Sequence, residues 1–256
     1  MSRSLFVAWR SGPQEQGRWG PVGRLDRIED GFRFGYTRGA RNLPGFVPFA
    51  GMSDLHQIYE SDALFPLFAN RLLARSRPEY EAYLAWSGFS AAQAPEPLAI
   101  LGVTEGRRMT DALEVFACPR RGADGRYACV FFLHGLRHMG ETASAHVASL
   151  QAGSLLALQP EPDNPHDLEA MAVFSAGTSD GIKIGFVPRF LARDVAGLLS
   201  SVAADQIQLT VHRLNPDAPL QQRLLCTLNA PWPAEFEPCT SADYQLIADP
   251  TAALAA

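Results

Sequence analysis

Glu161-Pro162-Asp163-Asn164-Pro165-His166-Asp167-Leu168-Glu169-Ala170-Met171-Ala172-Val173 is the stretch on which the reading of this chain turns. Two prolines and an asparagine stiffen it into a corner, because proline presets its backbone and asparagine bonds its own main chain. A strand-like run, Ser154 to Leu158, leads in, and an alternating apolar segment from Met171 leads out. Four carboxylates crowd the corner: Glu161, Asp163, Asp167 and Glu169. A rigid polar corner between two strands is where a barrel scaffold presents a binding site. Two further pieces flank it. Upstream lies Phe131-Phe132-Leu133-His134-Gly135-Leu136-Arg137-His138, and downstream lies Ile184-Gly185-Phe186-Val187-Pro188-Arg189.

Working outward, the 256 residues allow one large or two small domains, and 47% apolar residues suffice for a packed core. The net charge of -5 provides no general basic field for nucleic acid. Lys183 is the only lysine, so phosphate contacts, where they exist, fall to arginine. The arginine and alanine bias is also what a GC-rich genome produces. No apolar run approaches the roughly 18 residues that span a bilayer. The apolar stretch after Met1 is too short for a signal peptide, so a cytoplasmic protein is expected. Cys118, Cys129, Cys226 and Cys239 are widely spaced and read as small core residues rather than zinc ligands. No cofactor and no metal are expected.

The periodicity predicts a strand over 4–10 and a hairpin over 22–37 turning at Asp30-Gly31. Phe32, Phe34 and Tyr36 share one face of it, a core face more readily than a stacking platform. Helical pieces are expected near 64–74 and from Ser76 to Gly88, and a linker over 91–97. Strands follow at 98–103, 113–118, 129–134, 155–158, 171–174, 182–187, 207–211 and 224–228. Helices are expected at 141–150 and 190–201, the second with Leu191, Val195, Leu198 and Leu199 on one side. Beyond Pro233 the periodicity fades, and the final alanines read as a frayed tail. The fold class expected is α+β, mainly β: a partly open, OB-like barrel preceded by a small α+β module. The expected segments are 1–92, a connector with leading strands over 93–127, the barrel over 128–230 and an irregular tail over 231–256.

The three quoted pieces, in that order, resemble the HIRAN domain over about residues 128–215. The family pattern runs Gly-Leu-Arg-aromatic, then Asp/Glu-Pro-x-Asn-Pro-Tyr/His-Asp-x-x-Ala, then Ile-Gly-x-x-basic. The resemblance implies a pocket that grips the free 3′ end of single-stranded DNA, as a non-catalytic module in DNA repair or in a damage or phage response. It places Asp167 at the carboxylate that reads the terminal hydroxyl, and Asn164 with Pro165 at the positions that shape the corner. Arg137 matches the arginine of the first piece and Arg189 a basic residue near a phosphate. His138 and His166 stand where stacking tyrosines are found. Imidazole stacks over less area than phenol and titrates near pH 6.5, so binding would be weaker, or tighter in mild acid. A helicase, nuclease or other protein acting in trans is the implied partner. More loosely, Pro21-Val22-Gly23-Arg24-Leu25, the Phe32-x-Phe34-x-Tyr36 hairpin and Pro48-Phe49 resemble the small N-terminal subdomain of HipA-type toxin kinases, without their catalytic part.

Plainer readings stand beside each residue. Asp167 could cap a turn, Asn164-Pro165 could be a turn and nothing more, and Arg189 could simply open the following helix. Residues 1–41 carry eight arginines (3, 10, 18, 24, 27, 33, 38, 41) against four acids (15, 26, 29, 30), a phosphate track or, more simply, a solvated strand face. Residues 127–213 hold five basic side chains (137, 183, 189, 193, 213) and eight acids (141, 161, 163, 167, 169, 180, 194, 205), so 5 − 8 = -3. That favours the alternative of a protein-interaction or regulatory module without DNA binding. A metal-dependent nuclease is the lesser alternative. Pro162-Asp163 is present, but Asp180-Gly181-Ile182-Lys183 has one residue too many for its acid and lysine to share a strand face. No phosphate-binding Gly-x-x-x-x-Gly-Lys-Ser/Thr loop and no Gly-x-Ser-x-Gly elbow occurs.

Overall fold

The computed structural model describes residues 4–12, 17–108, 110–175 and 181–248. They fall into two compact units: Met1–Tyr80 with Ala94–Cys118 and Cys239–Ala256, and Glu81–Gln93 with Pro119–Pro238.

In the first unit, β1 (Ser4–Arg10), β2 (Trp19–Ile28), β3 (Gly31–Tyr36), β4 (Ile58–Ser61) and β5 (Leu113–Phe116) form one antiparallel sheet, ordered β4-β3-β2-β1-β5. The expected hairpin is present, but its turn falls at Glu29-Asp30, one residue earlier than expected, with Ile28 paired to Gly31. Phe32, Phe34 and Tyr36 lie in the core at 8%, 0% and 1% exposure, so the aromatic alternation is packing. The arginines of the early strands are engaged locally. Arg24 pairs with Asp26 at 2.8 Å and Arg33 with Glu60 at 2.7 Å, while Arg27 donates to the Ile28 and Gly31 carbonyls. This is the solvated-face arrangement. Arg3 lies outside the described residues.

One expected element changes kind and another shortens. Residues 98–103 were expected as a strand; Pro97–Thr104 is a helix, opened by Pro97 in its first turn with Leu98, Ile100 and Leu101 buried. A short apolar run fits a buried strand or a buried helix equally, and the N-terminal proline decides it here. Helix around 64–74 shrinks to Pro66–Ala69. Beyond Pro231, described residues include one 3₁₀ turn, Ala242–Tyr244, and are pinned by contacts. Leu246 bridges Thr37, and the Ile247 N–H donates to the Tyr36 carbonyl. Alanines 252, 253, 255 and 256 lie outside the described residues.

The second unit is a six-stranded antiparallel sheet. β6 (Arg126–Phe132), β7 (Leu155–Pro160), β8 (Met171–Ser175), β9 (Lys183–Phe186), β10 (Gln208–Leu214) and β11 (Leu224–Pro231) are ordered β6-β11-β10-β7-β8-β9. The sheet curls until its two edges meet. His134, just past β6, exchanges two N–H···O bonds of 2.9 Å with Phe186 at the end of β9. The result is the mixed, mostly β, half-barrel architecture expected. Helix Gly140–Ser149 packs on β9, and helix Arg189–Ser201 packs on β8. Leu191, Val195 and Leu198 of the latter are buried, as the 3.6-residue period requires. Among the described residues, no helix is long and apolar enough to cross a membrane.

Candidate nucleic-acid interface

The corner 161–170 connects β7 to β8, and the last ladder pair before it is Pro160 opposite Met171. It is built from within. The Glu161 N–H donates to the Ala170 carbonyl at 2.9 Å, closing the loop at its base. The Asn164 side-chain oxygen accepts the His166 and Asp167 N–H groups at 2.9 and 3.2 Å, and its amide donates to Glu161 at 3.1 Å. Asn164 therefore spends its side chain on the backbone and holds the corner in shape. Asp167 Oδ1 accepts the Glu169 N–H at 3.1 Å, which is the turn-capping role weighed above.

Three ion pairs tie the corner to the next elements. Glu161 meets Lys183 at 2.8 Å, Asp167 meets the Arg189 Nε at 3.3 Å, and Glu169 meets Arg193 at 2.7 Å. The Lys183 contact, helped by the Asn164 amide, lowers the Glu161 pKa below its usual value. Arg189 opens its helix and Arg193 lies one turn further along it, so the corner reaches both from one side. Asp167 and Arg189 remain partly open to solvent, at 18% and 23% side-chain exposure.

The His134–Phe186 pairing brings the Leu136–His138 turn beside β9. Gly135 makes this possible with a left-handed φ of 77°. Leu136 is buried, while Arg137 and His138 are exposed, and Arg137 Nε donates to His138 Nε2 at 2.9 Å. That bond requires an unprotonated acceptor nitrogen. Among the described residues, no carboxylate pairs with Arg137. His166 and Pro165 are exposed at the corner tip. Asp167 and Arg189 are thus brought into contact, Arg137 and His138 into contact with each other, and Asn164 into the corner's own framework. The pairing of Glu161 with Lys183 and of Glu169 with Arg193 was not foreseen. A signal existed in the spacing: acids at 161, 167 and 169 are followed by bases at 183, 189 and 193.

Asp180, part of the nuclease reading, lies outside the described residues. Lys183 is committed to Glu161 and sits 5.1 Å over the Phe186 ring. Among the described residues, no group of three or more His, Cys, Asp or Glu is arranged to hold a metal.

Residues 127–231 match the family model described as the HIRAN domain. No curated protein matches the chain. Among solved structures, a protein from Lactobacillus plantarum is similar at 24% identity, covering 41% of this chain and 96% of that one, with a TM-score of 0.30. The HIRAN domain of human HLTF is similar at 19% identity, covering 42% of this chain and 78% of that one, with a TM-score of 0.27. A HIRAN domain over residues 127–231 is therefore supported by the family match. No comparison extends that support to the HipA likeness of the N-terminal region.

Proposed function

We propose that this chain is a non-catalytic, single-stranded-DNA-binding protein whose HIRAN-like barrel recognises the 3′ end. The observation that carries the reading is the contact of Asp167 with Arg189, drawn from two separate motif pieces and left partly open to solvent. The carboxylate accepts the terminal hydroxyl proton and repels a terminal phosphate. Arg189 beside it, and Arg137 on the neighbouring turn, donate to backbone phosphate oxygens. His138 and His166 supply flat faces for unpaired bases. The first unit, in this reading, is a HipA-like module for protein contacts, and a helicase or nuclease supplies any chemistry in trans.

Titration of a labelled single strand tests this. The 3′-hydroxyl strand is expected to bind about tenfold more tightly than the same strand with a 3′ phosphate, the worth of one charge-assisted hydrogen bond. Asp167→Ala is expected to erase the difference. Equal binding of both strands to the wild-type chain would defeat the reading. The ion pairs favour a second one: with Lys183, Arg189 and Arg193 all neutralised by corner acids, the barrel has little field to attract a polyanion, as a protein-interaction module would. Negligible binding of every oligonucleotide is the result that module predicts.

A further inference from the structure

Leu168 stands apart on an otherwise polar corner, 78% exposed at the loop that carries Asn164, His166 and Asp167. A lone surface leucine is ordinary; this one is held in place. Asp167 and Glu169 on either side are each gripped by an arginine, and the Asp167 carboxylate and carbonyl accept the Glu169 and Ala170 N–H groups. The backbone that presents it is thus ordered before a ligand arrives, and covering the side chain costs little further ordering. The exposed rings of the motif, His138 and His166, offer less apolar area than phenols would.

We propose that Leu168 is an apolar contact for the terminal unpaired nucleotide, covering base surface that the imidazoles leave bare. The contact is indifferent to base identity, because every base has an apolar face. It rests on the end-binding reading of the corner and adds a residue to it.

The full chain, Leu168→Ala, Leu168→Ser and Leu168→Phe would be titrated with the same 3′-hydroxyl and 3′-phosphate strands. Both small replacements are expected to weaken binding of both strands by about fivefold, leaving their ratio unchanged. Leu168→Phe is expected to bind at least as tightly as wild type. Thermal melting should not move, since the side chain is solvent-exposed. If the wild type prefers the 3′ hydroxyl while Leu168→Ala and Leu168→Ser bind as it does, the role of Leu168 is overturned and the end-binding reading stands. If the wild type binds neither strand, the end-binding reading fails and this contact with it.

Discussion

Gly185→Val is expected to open the barrel seam and to cost the second unit about 3 kcal/mol, the upper end of ordinary overpacking. A Cβ at position 185 would sit 2.5 Å from the His134 carbonyl oxygen and 2.8 Å from Leu133 Cγ. The first obstacle is backbone, which cannot rotate aside as a side-chain tip can. It is also the carbonyl that accepts the Phe186 N–H, so the strands must separate where they close the sheet. Separation would carry the Leu136–His138 turn away from β9, and with it Arg137 and His138. Hydrogen exchange at the Phe186 and His134 amides should rise sharply, the urea midpoint should fall, and any oligonucleotide binding should fall with them. Unchanged exchange at those amides would show that the seam does not depend on the close approach at Gly185.

The same residue shows why part of the site was legible. Ile184-Gly185 is a local signature with a local cause, a strand that must pass against another backbone. The corner is likewise self-contained, since Asn164, Asp167 and Ala170 bond within a few residues. The hairpin and the Arg189–Ser201 helix were readable because their periods of 2 and 3.6 repeat long enough to be counted. What escaped depends on distant partners. β5 pairs with β1, with Phe6 opposite Phe116, and nothing in Leu113–Phe116 names that neighbour. The apolar run Leu98–Val103 carries no period at all. Arg189 was expected as a phosphate contact, yet its engagement with Asp167 depends on how a helix lies against a loop. Charge type is written in the sequence; which charge answers which is set by tertiary packing.

That helix also carries a group outside the candidate site. Asp194 follows Arg193 and lies among Leu191, Val195 and Leu198, and its Oδ2 is sealed from solvent with no hydrogen-bond partner. Burial raises its pKa from 3.8 to about 7, opposed by the Arg193 charge next to it. The Asp194 charge is also felt by the Cys129 thiol, which is pushed up to about 12 chiefly by burial. A thiol raised that far is uncharged at neutral pH and gives the carboxylate no counter-ion. The folded unit therefore keeps a proton that the unfolded chain releases near pH 3.9. Stability from this group is complete below about pH 4 and is lost as pH rises through about 7. The full span is about 4 kcal/mol, of which about 2–3 kcal/mol falls between pH 5 and pH 8. Asp194→Asn keeps the shape without the charge and should flatten that slope, making the second unit more stable than wild type by about 4 kcal/mol at pH 8, by about 1–2 kcal/mol at pH 5, and little changed below about pH 4. Hydrogen exchange in β6 and β11 under graded urea reads this unit alone. Parallel wild-type and Asp194→Asn curves across the pH range would mean that water or movement of the helix already solvates the carboxylate.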